Sequence, residues 1–243
     1  MNSSKKVLSI VIPVYNEEKT IGIVLDNLNK LTIPDVEKEI IVVDDGSNDK
    51  SKKIVEEKKG IVKGLIFIPH EVNKGKGAAV QTGLSAAKGD VLMVQDADLE
   101  YDTNDIPKLL KPILEGRASV VYGTRLRRMP NVKKEEKSGR FLLHYLGNRW
   151  LSLITSVLYL SWVTDMETCY KLFTKDSFKG IKLKSRTFDF EPEITAKLLK
   201  KGLKILEIDI NTKPRGYDEG KKLHTFRDGF KALWTLVKYR FIS

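Results

Sequence analysis

Short apolar runs rich in Val and Ile recur through the first half of the chain: Val7–Val14, Glu39–Val43, Gly64–Pro69, Val91–Gln95 and Ser119–Tyr122. Runs of this length, apolar without alternation, predict strands covered on both faces. Between them, Glu17–Leu31, Lys50–Lys59, Gly77–Ala87 and Asp105–Glu115 carry helical spacing, with Ile21, Val24, Leu25 and Leu28 on one face. Strand–helix alternation of this kind predicts an α/β fold, a mostly parallel central sheet with helices on both faces. Ligands of such sheets sit at the carboxyl ends of the strands, so the residues that follow each strand are the first place to look for chemistry.

Past Gly123 the rhythm breaks. Residues Arg125 to Arg149 are polar and basic and read as a loop leading into a helix. Trp150–Val163 predicts an apolar helix, Thr168–Phe173 a strand, and Pro192–Lys201 a helix stopped by Gly202. Leu203–Ile210 alternates as a strand does, and residues 225–241 form an amphipathic helix. With no internal repeat and no low-complexity linker, residues 1–243 read as one domain, with 1–123 and 124–243 as its two halves.

Charge changes this picture. The 243 residues include 43 Lys and Arg against 32 Asp and Glu, a net charge of +11, so the surface should attract polyanions: nucleic acid, anionic lipid or phosphorylated ligands. The single cysteine, Cys169, permits no intrachain disulfide, fits a reducing compartment and is read as a packed small hydrophobe. The N-terminal residues lack a signal-peptide pattern, and no apolar run reaches the roughly 18–20 residues of a spanning helix. Trp150–Val163, the longest candidate, is shorter and carries Ser152, Thr155, Ser156 and Ser161. The expectation is a cytoplasmic protein whose membrane contact is peripheral. Trp150, Tyr159 and Trp162, and Phe226, Phe230, Leu233, Trp234, Val237 and Phe241 in the tail, suit either core packing or a membrane interface.

Three strand ends bear carboxylates: Pro13-Val14-Tyr15-Asn16-Glu17-Glu18, Val43-Asp44-Asp45-Gly46-Ser47 and Gln95-Asp96-Ala97-Asp98-Leu99-Glu100. Asp96 and Asp98 alone fit a solvated turn. Three such ends on one sheet edge fit a hard divalent cation that takes oxygen ligands and keeps positions open for phosphate. His70, His144 and His224 are too scattered for a zinc site. Neither a Gly-x-Gly-x-x-Gly fingerprint nor a Walker A motif occurs, which argues against a nicotinamide enzyme or a P-loop nucleotidase. No nucleic-acid-binding motif accompanies the positive charge.

These stretches, with Val11-Ile12-Pro13-Val14-Tyr15-Asn16-Glu17, Val42-Val43-Asp44-Asp45-Gly46-Ser47, Asn73-Lys74-Gly75-Lys76-Gly77-Ala78-Ala79 and Asp96-Ala97-Asp98, resemble the family 2 glycosyltransferases of GT-A fold. Asp165-Met166-Glu167-Thr168-Cys169-Tyr170-Lys171-Leu172-Phe173, Phe190-Glu191-Pro192-Glu193-Ile194 and Arg215-Gly216-Tyr217-Asp218-Glu219-Gly220-Lys221 extend the likeness across nearly the whole chain. They bring it nearest to the polyprenyl-phosphate hexose synthases, among them dolichyl-phosphate mannose synthase and dolichyl-phosphate glucosyltransferase. The resemblance implies an inverting transfer of mannose or glucose from GDP-mannose or UDP-glucose to a polyprenyl phosphate, with Mg²⁺ or Mn²⁺. It makes 1–123 the nucleotide-sugar half and 124–243 the acceptor half, at the cytoplasmic face of an anionic membrane, alone or with a membrane-spanning subunit, and without nucleic acid.

It also implies residue roles. Pro13, Tyr15 and Glu17 would border the base and ribose; Asp45 would hydrogen-bond the base, with Asp44 beside it. Asp96 would reach the ribose and the metal, Asp98 would ligate the metal, and Glu100, where mannose synthases often carry Gln, would add to it. Arg125, Arg215 and Lys221 would grip the acceptor phosphate, since arginine matches phosphate oxygens in a fork. Asp165 and Glu167 are read as base or sugar contacts, or as structural. Lys76, between two glycines, is placed either against a phosphate or in a helix-start turn. Three other readings stay open: transfer to a sugar hydroxyl of a surface glycan, a basic nucleic-acid-binding module, and a silent subunit that recruits a membrane partner.

Overall fold

The computed structural model describes residues 5–126, 139–213 and 225–242. Seven strands form one sheet in the order β3-β2-β1-β4-β6-β5-β7. They are β1 Lys6–Val14, β2 Val36–Asp44, β3 Leu65–Pro69, β4 Val91–Val94, β5 Val120–Thr124, β6 Lys171–Thr174 and β7 Ile205–Asp209. The helices are α1 Ile21–Lys30, α2 Ser51–Lys58, α3 Lys76–Ala86, α4 Ile106–Leu114, α5 Gly139–Tyr159, α6 Lys175–Phe178, α7 Phe190–Lys200 and α8 Thr225–Phe241.

The apolar runs do what their lack of alternation requires. Leu8, Ile10, Val11 and Ile12 of β1 and Ile40, Ile41, Val42 and Val43 of β2 are all fully buried. Each such side chain contributes about 1.5–3 kcal/mol of transfer free energy. β1 pairs in parallel with β2 and β4, and β2 with β3. Apolar periodicity carries no strand direction, and β6 runs antiparallel to both β4 and β5, while β5 and β7 are parallel. The sheet is therefore mixed in its second half and parallel in its first. Ile21, Val24, Leu25 and Leu28 of α1 are buried against it.

Several boundaries differ from the sequence reading: α1 starts at Ile21 rather than Glu17, β2 at Val36 rather than Glu39, and the helix anticipated to Val163 ends at Tyr159. α5 starts at Gly139, so the C-terminal part of the basic stretch 125–149 is helical rather than loop. Basic residues suit helices as well as loops, and Leu142, Leu143 and Leu146 continue the apolar spacing upstream of Trp150. The strand anticipated over Thr168–Phe173 starts at Lys171, because Cys169 and Tyr170 belong to the turn that enters it. α5, α7 and α8 pack together over a second core of Leu151, Val163, Met166, Ala196, Leu199, Ala232, Leu236 and Tyr239. A hydrogen bond from Tyr159 Oη to the Leu236 carbonyl, 2.8 Å, ties α5 to α8.

Candidate active site

β1 and β4 are neighbours, yet β2 and β3 lie to one side of them and β6 to the other. The order reverses there, and a crevice opens at the carboxyl ends of β1 and β4. The crevice is a cleft of about 490 Å³. Backbone geometry at both strand ends is special: Asn16 and Leu99 are non-glycine residues at φ 52° and 62°, in the left-handed region. Such conformations cost of order 1–3 kcal/mol each and persist only where the surroundings hold them. After β1 the surroundings are hydrogen bonds from Asn16 N to Ser47 Oγ, Glu17 N to Ser51 Oγ and Asn48 N to Asn16 Oδ1, which stitch the loop to the end of β2. After β4, Glu100 N donates to Asp98 Oδ1 at 3.1 Å, and buried Gln95 holds the Asp96 carbonyl at 2.9 Å.

Pro13, Tyr15, Glu17, Asp45, Lys76, Asp96, Asp98, Glu100, Arg125 and Glu167 all line the cleft. Asp44 does not: its side chain is buried and Oδ1 accepts the Ser47 N–H at 2.9 Å, shaping the turn after β2. Arg215 and Lys221 lie outside the described residues. Asp165 also stays off the wall. It is fully buried and takes the Arg125 guanidinium in a fork, Nε to Oδ2 and Nη2 to Oδ1 at 2.8 Å each, plus the Arg125 N–H at 2.9 Å. Asp165 thereby aims Arg125 into the cleft. Burial works against the guanidinium charge, but Asp165 outweighs it and holds the group firmly cationic.

Lys76 lies 2.8 Å from Asp96 and 3.0 Å from Glu191. Burial disfavours its charge, and those carboxylates, Asp96 first, more than restore it. Gly75 and Gly77 serve packing: a Cβ on either would collide with the backbone of Ser185 to Thr187. Gly75 is at φ 96° and precedes the first turn of α3. Lys76 thus sits in a helix-start turn and lines the cleft with its ammonium on Asp96 and Glu191.

Sequence reasoning missed Glu191, Asp228, Tyr101 and His70. Glu191 lines the cleft from α7 with its Oε2 buried and without a hydrogen-bond partner; Glu167 Oε1 is in the same state. Burial, reinforced by the Glu191 charge, pushes the Glu167 carboxyl up to about 8. Burial therefore favours the protonated form of Glu167. Deep in the wall, Lys171 Nζ donates to the Met166 and Thr168 carbonyls, and burial lowers its pKa. Glu191 lies in the Phe190–Ile194 stretch that carries the resemblance, but spacing alone does not tell an inward Glu from a solvated one; its inward setting shows in its contact with Lys76 of α3.

Among the described residues the lining holds eight acidic side chains, Glu17, Asp45, Asp96, Asp98, Glu100, Glu167, Glu191 and Asp228, with burial favouring the neutral form of Glu167 and Glu191, against two cations, Lys76 and Arg125. A metal ion brought by an anionic ligand would offset this described excess of acidic side chains. Among the described residues no three His, Cys, Asp or Glu side chains converge as a ready metal cage. That donor set fits Mg²⁺ or Mn²⁺ held by one or two carboxylates and completed by ligand phosphates, the usual mode for these hard ions.

Comparison with known proteins agrees with this geometry. The family model described as glycosyl transferase family 2 matches residues 9–181. The UDP-N-acetylglucosamine–dolichyl-phosphate N-acetylglucosaminyltransferase of Methanococcus voltae is 31% identical over 96% of this chain and 95% of its own. The human dolichyl-phosphate beta-glucosyltransferase is 28% identical over 86% of this chain and 68% of its own. Among solved structures, glucosyl-3-phosphoglycerate synthase from Mycobacterium tuberculosis, in complex with Mn²⁺, UDP and phosphoglyceric acid, superposes with a TM-score of 0.71. It is 22% identical, over 98% of this chain and 80% of that one, and shares the fold. The chain is a glycosyltransferase of GT-A fold and belongs to glycosyl transferase family 2.

Proposed function

We propose that the enzyme moves a hexose from a nucleotide sugar to a polyprenyl phosphate, with inversion, at a membrane surface. The observation that carries this reading is the two-sidedness of α5 and α8. Asn148 and Leu151 of α5 and Asp228 and Ala232 of α8 line the cleft. The other side of α5 presents Leu146, Trp150, Leu153 and Val157 to solvent, and the other side of α8 presents Phe230, Trp234 and Phe241. Trp150 is 61% exposed and Trp234 62%. Aromatic residues of this kind, with Arg149, Lys231, Lys238 and Arg240 close by in sequence, suit the interface of an anionic bilayer. The same two helices would then rest on lipid and wall the cleft, which is where a lipid-linked phosphate would arrive. Among the described residues no helix is long and apolar enough to cross a membrane. The names of the relatives support an acceptor of the dolichyl phosphate class.

Within the cleft, Pro13, Tyr15, Glu17 and Asp45 would border the nucleoside. Asp98, with Asp96 and Glu100 beside it, would hold Mg²⁺ or Mn²⁺ on the donor diphosphate, where such an ion supplies Lewis-acid stabilisation of the departing charge. Lys76, 2.8 Å from Asp96, would hold that carboxylate in place. Arg125, aimed by Asp165, would take the acceptor phosphate. That phosphate is already an oxyanion, so positioning serves it better than a general base. A protonated Glu167 is suited to a sugar oxygen.

Thermal unfolding tests the donor half of the reading. UDP or GDP with Mn²⁺ at about 100 times its dissociation constant should raise the melting temperature by roughly 5–10 °C. Chelation with EDTA, or Asp98→Asn, should remove most of that shift. A shift that survives both would sink the metal assignment.

A further inference from the structure

Asp45 and His70 hold a hydrogen-bond count that bears on which base the cleft accepts. His70 follows β3, and its Nδ1 lies 2.8 Å from Asp45 Oδ1. Its Nε2 lies 3.0 Å from Thr82 Oγ1 of α3. A carboxylate only accepts, so Nδ1 carries the proton toward Asp45. The Lys74 N–H also donates to Oδ1, at 2.9 Å, and the Gly75 N–H donates to Oδ2, at 2.8 Å. A carboxylate offers about four acceptor positions. Three are filled from the protein, both on Oδ1 and one on Oδ2. Asp45 nevertheless lines the cleft, with its side chain almost wholly buried. One acceptor position, on Oδ2, is left for a ligand.

We propose that His70, by filling Oδ1, makes Asp45 a reader of a single N–H and so selects a uracil nucleotide over a guanine nucleotide. The inference rests on the nucleotide-sugar reading above. Uracil presents one imide N–H between two carbonyls, which one acceptor satisfies. Guanine presents N1–H and an N2 amino group side by side, and a carboxylate serves both only through two free acceptors. With one free, burying guanine leaves a donor unpaired, a penalty that corresponds to about a tenfold or larger loss of affinity. His70 does not itself line the cleft; it is a positioning residue that acts through Asp45.

The test is calorimetric titration of the full chain with UDP and GDP in the presence of Mn²⁺. The wild type should bind UDP at least about tenfold more tightly than GDP. His70→Ala frees Oδ1 and should narrow that ratio toward unity. His70→Asn, whose side-chain amide can still donate to Oδ1, should restore it. Equal or reversed preference in the wild type, or an unchanged ratio in His70→Ala, overturns the proposal while leaving the nucleotide-sugar reading in place. Absence of binding by either nucleotide overturns that reading and the proposal with it.

Discussion

Asp165 gives both carboxylate oxygens to Arg125, and in turn its own N–H and that of Thr164 donate to buried Glu207. The chain from β7 through Asp165 to Arg125 fixes a cation that would otherwise search many rotamers. Asp165→Asn leaves a largely buried guanidinium without its counter-charge, and stability should fall by about 3–5 kcal/mol in urea denaturation. Glu167 makes a prediction of opposite sign. Its folded pKa, about 8, lies above the ordinary 4.5 because of burial first and the Glu191 charge second. Between those values the folded chain keeps a proton that the unfolded chain has lost, so this group's contribution to stability falls as pH rises through that window. Glu167→Gln cannot ionise. Its melting temperature should gain on the wild type steadily from pH 5 to pH 8, and a difference independent of pH would place Glu167 in a wetter setting.

Elements differ in how openly they were written in the sequence. β1, β2 and β4 were legible because each holds a short apolar run followed by carboxylates, and Asp45, Asp96 and Asp98, just past β2 and β4, line the cleft. The antiparallel setting of β6 was not legible, since apolar spacing is the same in either direction. The first turns of α5 were hidden by their basic residues. His70 looked like any lone histidine, and its meaning depends on β3 and α3 meeting at Asp45. The faces of α5 and α8 were legible only as an ambiguity between core and lipid; burial takes Trp150 and Trp234 out of the core, with Leu151, Ala232 and Leu236 packed inward on the same helices. Replacing Trp150 and Trp234 together by Ser should weaken sedimentation with anionic phosphatidylglycerol vesicles by about tenfold or more. The melting temperature should barely move, because neither side chain is in the core. Undiminished vesicle binding would assign these faces to something other than lipid.

At the scale of the whole molecule, the net charge of +11 and the acidity of the cleft divide the surface by function. Among the described residues the cleft is lined mainly by acidic side chains, which suits a metal-bound diphosphate; on the proposed function, the positive charge outside it would serve an anionic bilayer. Adsorption to vesicles should therefore weaken with added salt, while nucleotide binding within the cleft should respond far less. On the proposed function, this cleft joins a nucleotide-activated hexose to a lipid phosphate with a metal ion. The direct measurement is transfer of labelled glucose from UDP-glucose to a short-chain polyprenyl phosphate, with free sugars offered in parallel. Label should appear in the lipid phosphate, depend on Mg²⁺ or Mn²⁺, and drop by about 100-fold or more in Asp98→Asn. Label in the free sugars with none in the lipid phosphate, or full activity of Asp98→Asn, would contradict the account.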